Sequence, residues 1–257
     1  MTDRQNKRTK SDSETKYSDP TNLGSPGLPK AEFDGLADQY YEQHKSNIGL
    51  SGESPEYFAS YKIVDLRRII DTLNIEVSSI LDFGSGIGNS IPHFRMHFPD
   101  THIICGDVSQ RSIEIARARF PGAERHVLIP ADAIPLPDAS VDIAFTACVF
   151  HHIPHELHAH WLKELKRVVR PGGVITIFEH NPYNPLTVRA VNTCPLDMNA
   201  RLIPAREMKR RMEDAGWHMP EIRYRIFFPG FAAPLRPLEK YLQRFFIGAQ
   251  YFIVARG

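Results

Sequence analysis

Three glycines at alternate positions, Gly84, Gly86 and Gly88, follow the largely apolar run 80–83 and precede Ile91, His93, Phe94 and Met96 at helical spacing. That pattern is strand, tight turn, helix. Glycine serves there because a chain reversing from a strand end into a helix visits positive φ, and because a missing Cβ lets a ligand lie against the backbone. The stretch reads as a floor for a nucleotide-like cofactor, while a purely structural turn would use the same residues. Asp107 closes the next apolar run, about 20 residues further on, where a carboxylate accepts hydrogen bonds from ribose hydroxyls. A second group of residues suits proton transfer. His151 and His152 follow the apolar run 143–149, and Glu179 and His180 end the run after it. An imidazole titrates near ~6.5 and works as a general base toward a hydroxyl.

These residues need a sheet to hold them. From residue 79 onward, apolar runs alternate with helical patterns, which predicts parallel strands covered by helices on both faces, an α/β fold. Strands are read at 80–83, 102–106, 127–130 and 143–149, with a helix capped by Ser109 and another over 154–168 that Pro171-Gly172-Gly173 stops. The run to Phe178 is the fifth strand. Residues 179–185, with two prolines and two asparagines, read as a loop, and 204–215 as a helix with a basic, solvated face. Runs 222–228 and 249–255 are the last strands, and the aromatic, proline-rich stretch between them borders the substrate pocket.

The pattern Asp82-x-Gly84-x-Gly86-x-Gly88 departs from the dinucleotide fingerprint, whose third glycine would stand at Asn89. It resembles the first motif of the class I S-adenosylmethionine-dependent methyltransferases. The resemblance continues in Asp132-Ala133, the Leu136-Pro137 loop, Val141-Asp142 opening the fourth strand, and Arg170-Pro-Gly-Gly before the fifth, so that it covers roughly residues 33–178. It implies a Rossmann-like, doubly wound, mostly parallel seven-stranded sheet with an antiparallel last strand and a helical N-terminal lid. It also implies S-adenosylmethionine as cofactor, held by Asp82, Gly84, Ser85, Gly86, Gly88, Asp107 and Val108, with Asp132 toward the adenine amino group and Ala133 near the ring. Residues 33–40 resemble the family's lead-in and bring Tyr40 toward the methionine end of the cofactor. A tyrosine that only anchors its helix would read the same.

The chain of 257 residues divides into a polar tail (1–30), a helical lid (31–78), the cofactor core (79–180) and an acceptor region with the last strands (181–257). The tail has too few large apolar residues to offset its ordering entropy and reads as disordered. A formal charge of +1 gives no field to recruit nucleic acid. No apolar stretch approaches the ~20 residues of a membrane helix, and the first residues lack a leader's apolar segment. Cys105, Cys148 and Cys194 are neither a disulfide framework nor a zinc pattern, and point to a reducing cytosol. Cys105 and Cys148 read as buried strand residues. Membrane contact through Phe227, Phe228 and Phe231 beside basic residues is a lesser reading. The histidines at 151, 152, 155, 158 and 160 would spread over several helix faces, so no metal is expected.

The reaction implied is methyl transfer by in-line displacement to a small-molecule acceptor, such as a sugar, a lipid-linked glycan or a secondary metabolite. The histidines favour a hydroxyl, with His152 as base and His151 and Glu179 as further catalytic candidates. A cofactor-binding protein without catalysis, or another reaction of the same cofactor, are the alternatives, since fold alone does not fix function.

Overall fold

In the computed structural model, residues 53–257 are described. Tyr40, the tail and the first lid helix lie outside them. The described chain opens with α1 (Pro55–Leu73), for which Ser54 is the N-cap, its hydroxyl accepting from the Tyr57 amide. Proline at the first position fits because its missing N–H has no partner there anyway. The helix ends at Asn74, whose φ of 51° is the left-handed conformation common at helix C-termini.

Seven strands follow: β1 (Ser79–Phe83), β2 (His102–Asp107), β3 (Arg125–Leu128), β4 (Val141–Ala147), β5 (Val169–His180), β6 (His218–Arg225) and β7 (Gln250–Arg256). They lie side by side in the order β3-β2-β1-β4-β5-β7-β6. All pairings from β3 across to β5 are parallel, and β7 runs antiparallel to both of its neighbours. The crossovers carry α2 (Ile91–His97), α3 (Gln110–Arg119) and α4 (His158–Val168). Helices α5 (Pro185–Thr193) and α6 (Ala205–Asp214) fill the chain between β5 and β6. Ser109 caps α3, as the sequence predicts, with its hydroxyl 3.0 Å from the Ser112 amide.

Because successive strand residues point to opposite faces, the sheet separates two cores. Ile80, Ile143 and Phe178 join α1 and α2 through Ile63, Leu66, Ile70 and Phe94. Leu81, Ala144 and Ile177 join α4 and α6 through Trp161, Leu165, Met208 and Met212. Each fully buried large side chain contributes about 1.5–3 kcal/mol, so α1 is a structural layer of the domain as well as a cover for what lies above its first turns. The strand order reverses between β1 and β4, and at such a point the carboxyl ends of the strands open a crevice.

The structure corrects several expectations. Residues 185–193 are helical, because Asn184 accepts from the Thr187 amide and Pro185 takes the first position. Glu179 and His180 end β5, as the reading of that run has them, paired with Tyr251 and Gln250, so the loop read over 179–185 starts only after them. Strand β6 begins at His218, four residues ahead of the predicted start at Ile222. Cys148 lies beyond the end of β4 and is half-buried, with φ at +59°.

Candidate active site

One cavity of about 330 Å³ occupies the crevice, a size suited to a small ligand. The glycine turn forms one end. Gly84, Gly86 and Gly88 all have positive φ, at 78°, 52° and 81°. A Cβ on Gly86 would meet nothing within 4 Å, so the backbone there faces open space. A Cβ on Gly84 would instead lie 2.4 Å from a Val149 methyl, so this glycine is required by the chain's own packing.

Asp107 stands at the end of β2 as the sequence predicts, its Oδ2 accepting from the Gly86 amide at 2.7 Å and its Oδ1 from the Ser109 amide at 2.9 Å. Asp82 and Ser85 are buried beside it, and Asp82 Oδ2 and Ser85 Oγ have no protein hydrogen-bond partner. Burial and then the Asp107 charge push the Asp82 carboxyl up to about 7. Unpaired buried polar atoms are rare, and here they border the cavity with Val108. The open backbone at Gly86 and these orphaned oxygens fit a polar ligand laid on the turn. Asp132 and Ala133, which the resemblance sets toward the adenine, stand outside this wall. Asp132 is exposed, Ala133 is half-buried, and neither lines the cavity. The chain leaves the sheet after Leu128, and buried Ile129 takes the wall position over Gly106.

The far end of the cavity is built by the 3₁₀ turn Phe150–His152. Phe150 is fully buried against Phe83 and His158 and anchors that turn. Glu179 reaches across from β5. Its Oε1 accepts from the Val149 and Phe150 amides at 3.1 and 2.7 Å, and its Oε2 lies 2.6 Å from His151 Nδ1. Glu179 is 1% exposed and absent from the cavity wall, so it acts through His151. His151, His152 and His180 line the cavity.

Asp197, which the sequence reading does not single out, completes the group. It ends the 3₁₀ turn Pro195–Asp197, and the Arg201 amide donates to the His151 carbonyl at 2.8 Å, tying this segment to the histidine turn. Asp197 Oδ1 is 3.6 Å from His151 Nε2 and 3.4 Å from His152 Nε2. Burial opposes charge on His151, but Glu179 and Asp197 outweigh it and raise the ring to about 10. Burial and the neighbouring His151 charge press His152 down to about 3. The other histidines turn elsewhere, as the predicted spread requires. His158 Nε2 donates to the Phe150 and Ile153 carbonyls at 2.9 and 3.0 Å while its Nδ1 accepts from Arg211, and His160 is exposed.

A side wall carries a further polar group. Lys62 of α1 is buried and its Nζ donates to Cys148 Sγ at 3.3 Å, while Gln250 bonds His180 Nδ1 at 3.3 Å. Burial raises the Cys148 thiol, but Lys62 and His180 prevail and bring it down to about 6. Opposite, Leu186, Ala190, Val191 and Phe227 give the cavity an apolar wall. After β6, Phe227 and Pro229 also line the cavity.

A family model described as a methyltransferase domain matches residues 81–177. Trans-aconitate 2-methyltransferase of Azoarcus sp. is 31% identical over 144 residues, 56% of this chain and 54% of that protein. The ubiquinone/menaquinone biosynthesis C-methyltransferase of Hahella chejuensis is 28% identical over 120 residues, 44% of this chain and 47% of that protein. The chain therefore spans about half the length of these curated relatives. In fold, it matches a crystal structure of an S-adenosylmethionine-dependent methyltransferase from Thermotoga maritima with a TM-score of 0.60 at 19% identity, covering 88% of this chain and 98% of that one. The family match and the fold agree on the core of the chain: residues 81–177 match a methyltransferase domain, and the fold is the one S-adenosylmethionine-dependent methyltransferases share.

Proposed function

We propose that this protein transfers the methyl group of S-adenosylmethionine to a hydroxyl of a small-molecule acceptor that also carries an apolar part. The observation that carries the reading is the single cavity joining the glycine turn to the His151, His152 and Asp197 cluster past an apolar wall. S-adenosylmethionine supplies a methyl group already activated by its sulfonium. The chain's task is to bind, orient and handle one proton. Orientation of two reactants lowers a barrier by up to about 7–11 kcal/mol in well-ordered systems.

On this reading Asp107 takes the ribose hydroxyls, Asp82 and Ser85 offer their unpaired oxygens to the cofactor, and Gly86 lets it approach the backbone. The histidine and aspartate cluster receives the acceptor and draws off its hydroxyl proton, with Glu179 holding His151 in place. The apolar wall from α5 and Phe227 suits a secondary metabolite or a lipid-linked glycan better than a free sugar. Names of related proteins include both C- and O-methyltransferases, and the choice of oxygen rests on the cluster alone. No helix of the described residues is long and apolar enough to cross a membrane.

Calorimetric titration with S-adenosylmethionine tests the first half, with NAD and Asp107→Ala as controls. Micromolar binding that weakens in the variant and is absent for NAD supports the reading, and no binding overturns it. Production of S-adenosylhomocysteine across a panel of hydroxyl acceptors tests the second half. His152→Ala is expected to reduce turnover by about 10²–10⁴ while cofactor binding persists.

A further inference from the structure

His151, His152 and Asp197 each offer one ligating atom, and these atoms all lie within 4.8 Å of one another. The contacts of Asp197 Oδ1 with the two Nε2 atoms, 3.6 and 3.4 Å, are longer than the roughly 2.7–3.2 Å of an N–H···O hydrogen bond. They match a different length. A tetrahedron whose ligands stand ~2.0–2.1 Å from a central cation has edges of about 3.4 Å.

The surroundings fit the same reading. A ligating histidine ordinarily gives its other ring N–H to a carboxylate, which fixes the tautomer and aims the lone pair. His151 does this, with Nδ1 2.6 Å from Glu179 Oε2. Glu179 in turn is held by two backbone amides and cannot swing to become a ligand itself. Buried Glu179 and half-buried Asp197 face this pair of imidazoles, and a divalent cation bound by neutral rings balances both negative charges. All three candidate ligands line the cavity, so a remaining coordination position opens on the acceptor side.

We propose that His151, His152 and Asp197 hold a divalent transition-metal cation, with Glu179 as the positioning residue behind His151 and an open coordination position facing the acceptor. Two imidazole nitrogens and one carboxylate oxygen select zinc, iron(II), manganese or cobalt over magnesium or calcium. Existence of the site is independent of methyl transfer. Its use there rests on the methyl transfer proposed above, with the bound cation taking over from a free imidazole the task of removing the proton: a hydroxyl bound to the cation acidifies, as metal-bound water does, and releases its proton to solvent. The oxygen keeps the electron pair that forms the new carbon–oxygen bond, while the carbon–sulfur pair leaves with sulfur as S-adenosylhomocysteine.

Untagged full-length protein, stripped with a chelator and desalted, is titrated with zinc, manganese, cobalt and magnesium chlorides and its retained metal measured by mass spectrometry. The expected result is about one equivalent of transition metal per chain, no retained magnesium, and tetrahedral or five-coordinate bands in the visible spectrum of the cobalt form. Asp197→Asn and His152→Gln abolish retention, and Glu179→Gln weakens affinity by about 10–100-fold, each with circular dichroism confirming the fold. Retention of no transition metal by the folded wild-type protein overturns the proposal, as does stoichiometric binding that survives both ligand substitutions. S-adenosylmethionine titration of the stripped protein separates this failure from failure of the methyltransferase reading.

Discussion

His151 and Glu179 form a pair sealed from solvent, Nδ1 to Oε2 at 2.6 Å with both side chains 1% exposed. Glu179 sits behind the cavity wall that His151 lines, so the carboxylate influences chemistry only through the ring it holds. Glu179→Gln keeps the shape and removes the charge. Turnover should fall by at least tenfold, in the range of about 10–100 for a lost orienting partner, while S-adenosylmethionine affinity stays within twofold of wild type, roughly the scatter of such titrations. Steady-state kinetics beside calorimetry reads this split, and a parallel loss of cofactor binding would show that Glu179 acts on the whole crevice.

Asp82 carries a stability signature with a definite sign. Its folded carboxyl is raised to about 7 by burial and Asp107, so the fold favours its neutral form. That contribution is complete below the unfolded value of ~3.9 and is lost as pH rises through about 7. Asp82→Asn mimics the neutral acid. Urea unfolding of the ligand-free protein should show the variant more stable than wild type by on the order of 1–3 kcal/mol at pH 8, with the gap closing toward pH 5. Its S-adenosylmethionine affinity should fall.

Cys148 titrates in the opposite sense. Despite burial, Lys62 and His180 bring its thiol down to about 6, so its stabilisation is present above the unfolded value of ~8.5 and is lost as pH falls through about 6. Alkylation by iodoacetamide should have its midpoint near 6 for Cys148, mapped by peptide mass spectrometry. Lys62→Met should move that midpoint upward, and S-adenosylmethionine should protect the thiol because it lines the same cavity.

Gly84 and Gly86 separate packing from ligand contact. Gly86→Ala adds a methyl to open space and costs about 1–2 kcal/mol for a left-handed alanine, yet it should lower S-adenosylmethionine affinity by well over tenfold. Gly84→Ala strikes Val149 and should cost more in melting temperature. Val149→Ala placed in the Gly84→Ala background should recover part of that loss and leave the Gly86 variant unimproved.

What sequence reasoning reached follows from the range of each signal. The glycine turn, Asp107 and the Ser109 cap are local patterns, and all three stand where the spacing puts them. The parallel sheet follows from alternating apolar runs. Asp197 was illegible because it is 45 positions from His152 and reaches it through a turn with no periodic pattern of its own. Helix α5 was hidden by the prolines and asparagines around it, which here start the helix rather than break it. Strand β6 starts early because an edge strand with one solvent face tolerates exposed His218, Met219 and Glu221. Asp132 follows the family pattern in type, and its side chain nonetheless lies in solvent because β3 ends four residues before it.

The excursion from β6 to β7 is closed at its base. Arg225 pairs with Gln250 as the last rung of the ladder, and the Ala249 amide then donates to the Ile226 carbonyl at 2.9 Å. Asn181 and Asn184 clasp the returning chain by donating to the carbonyls of Phe246, Gly248 and Ile247 at 2.7, 2.7 and 2.8 Å. Sheet register is thus indifferent to how long the excursion is, and lengthening a loop whose ends are already joined costs little, about 0.6 kcal/mol per doubling. The stretch 230–245 is in effect a cassette. Exchange must keep its anchors, because Glu239 accepts from the Phe227 and Phe228 amides at 2.9 and 3.1 Å, the Gln243 carbonyl accepts from the Tyr224 amide at 2.7 Å and Arg236 pairs with Glu53.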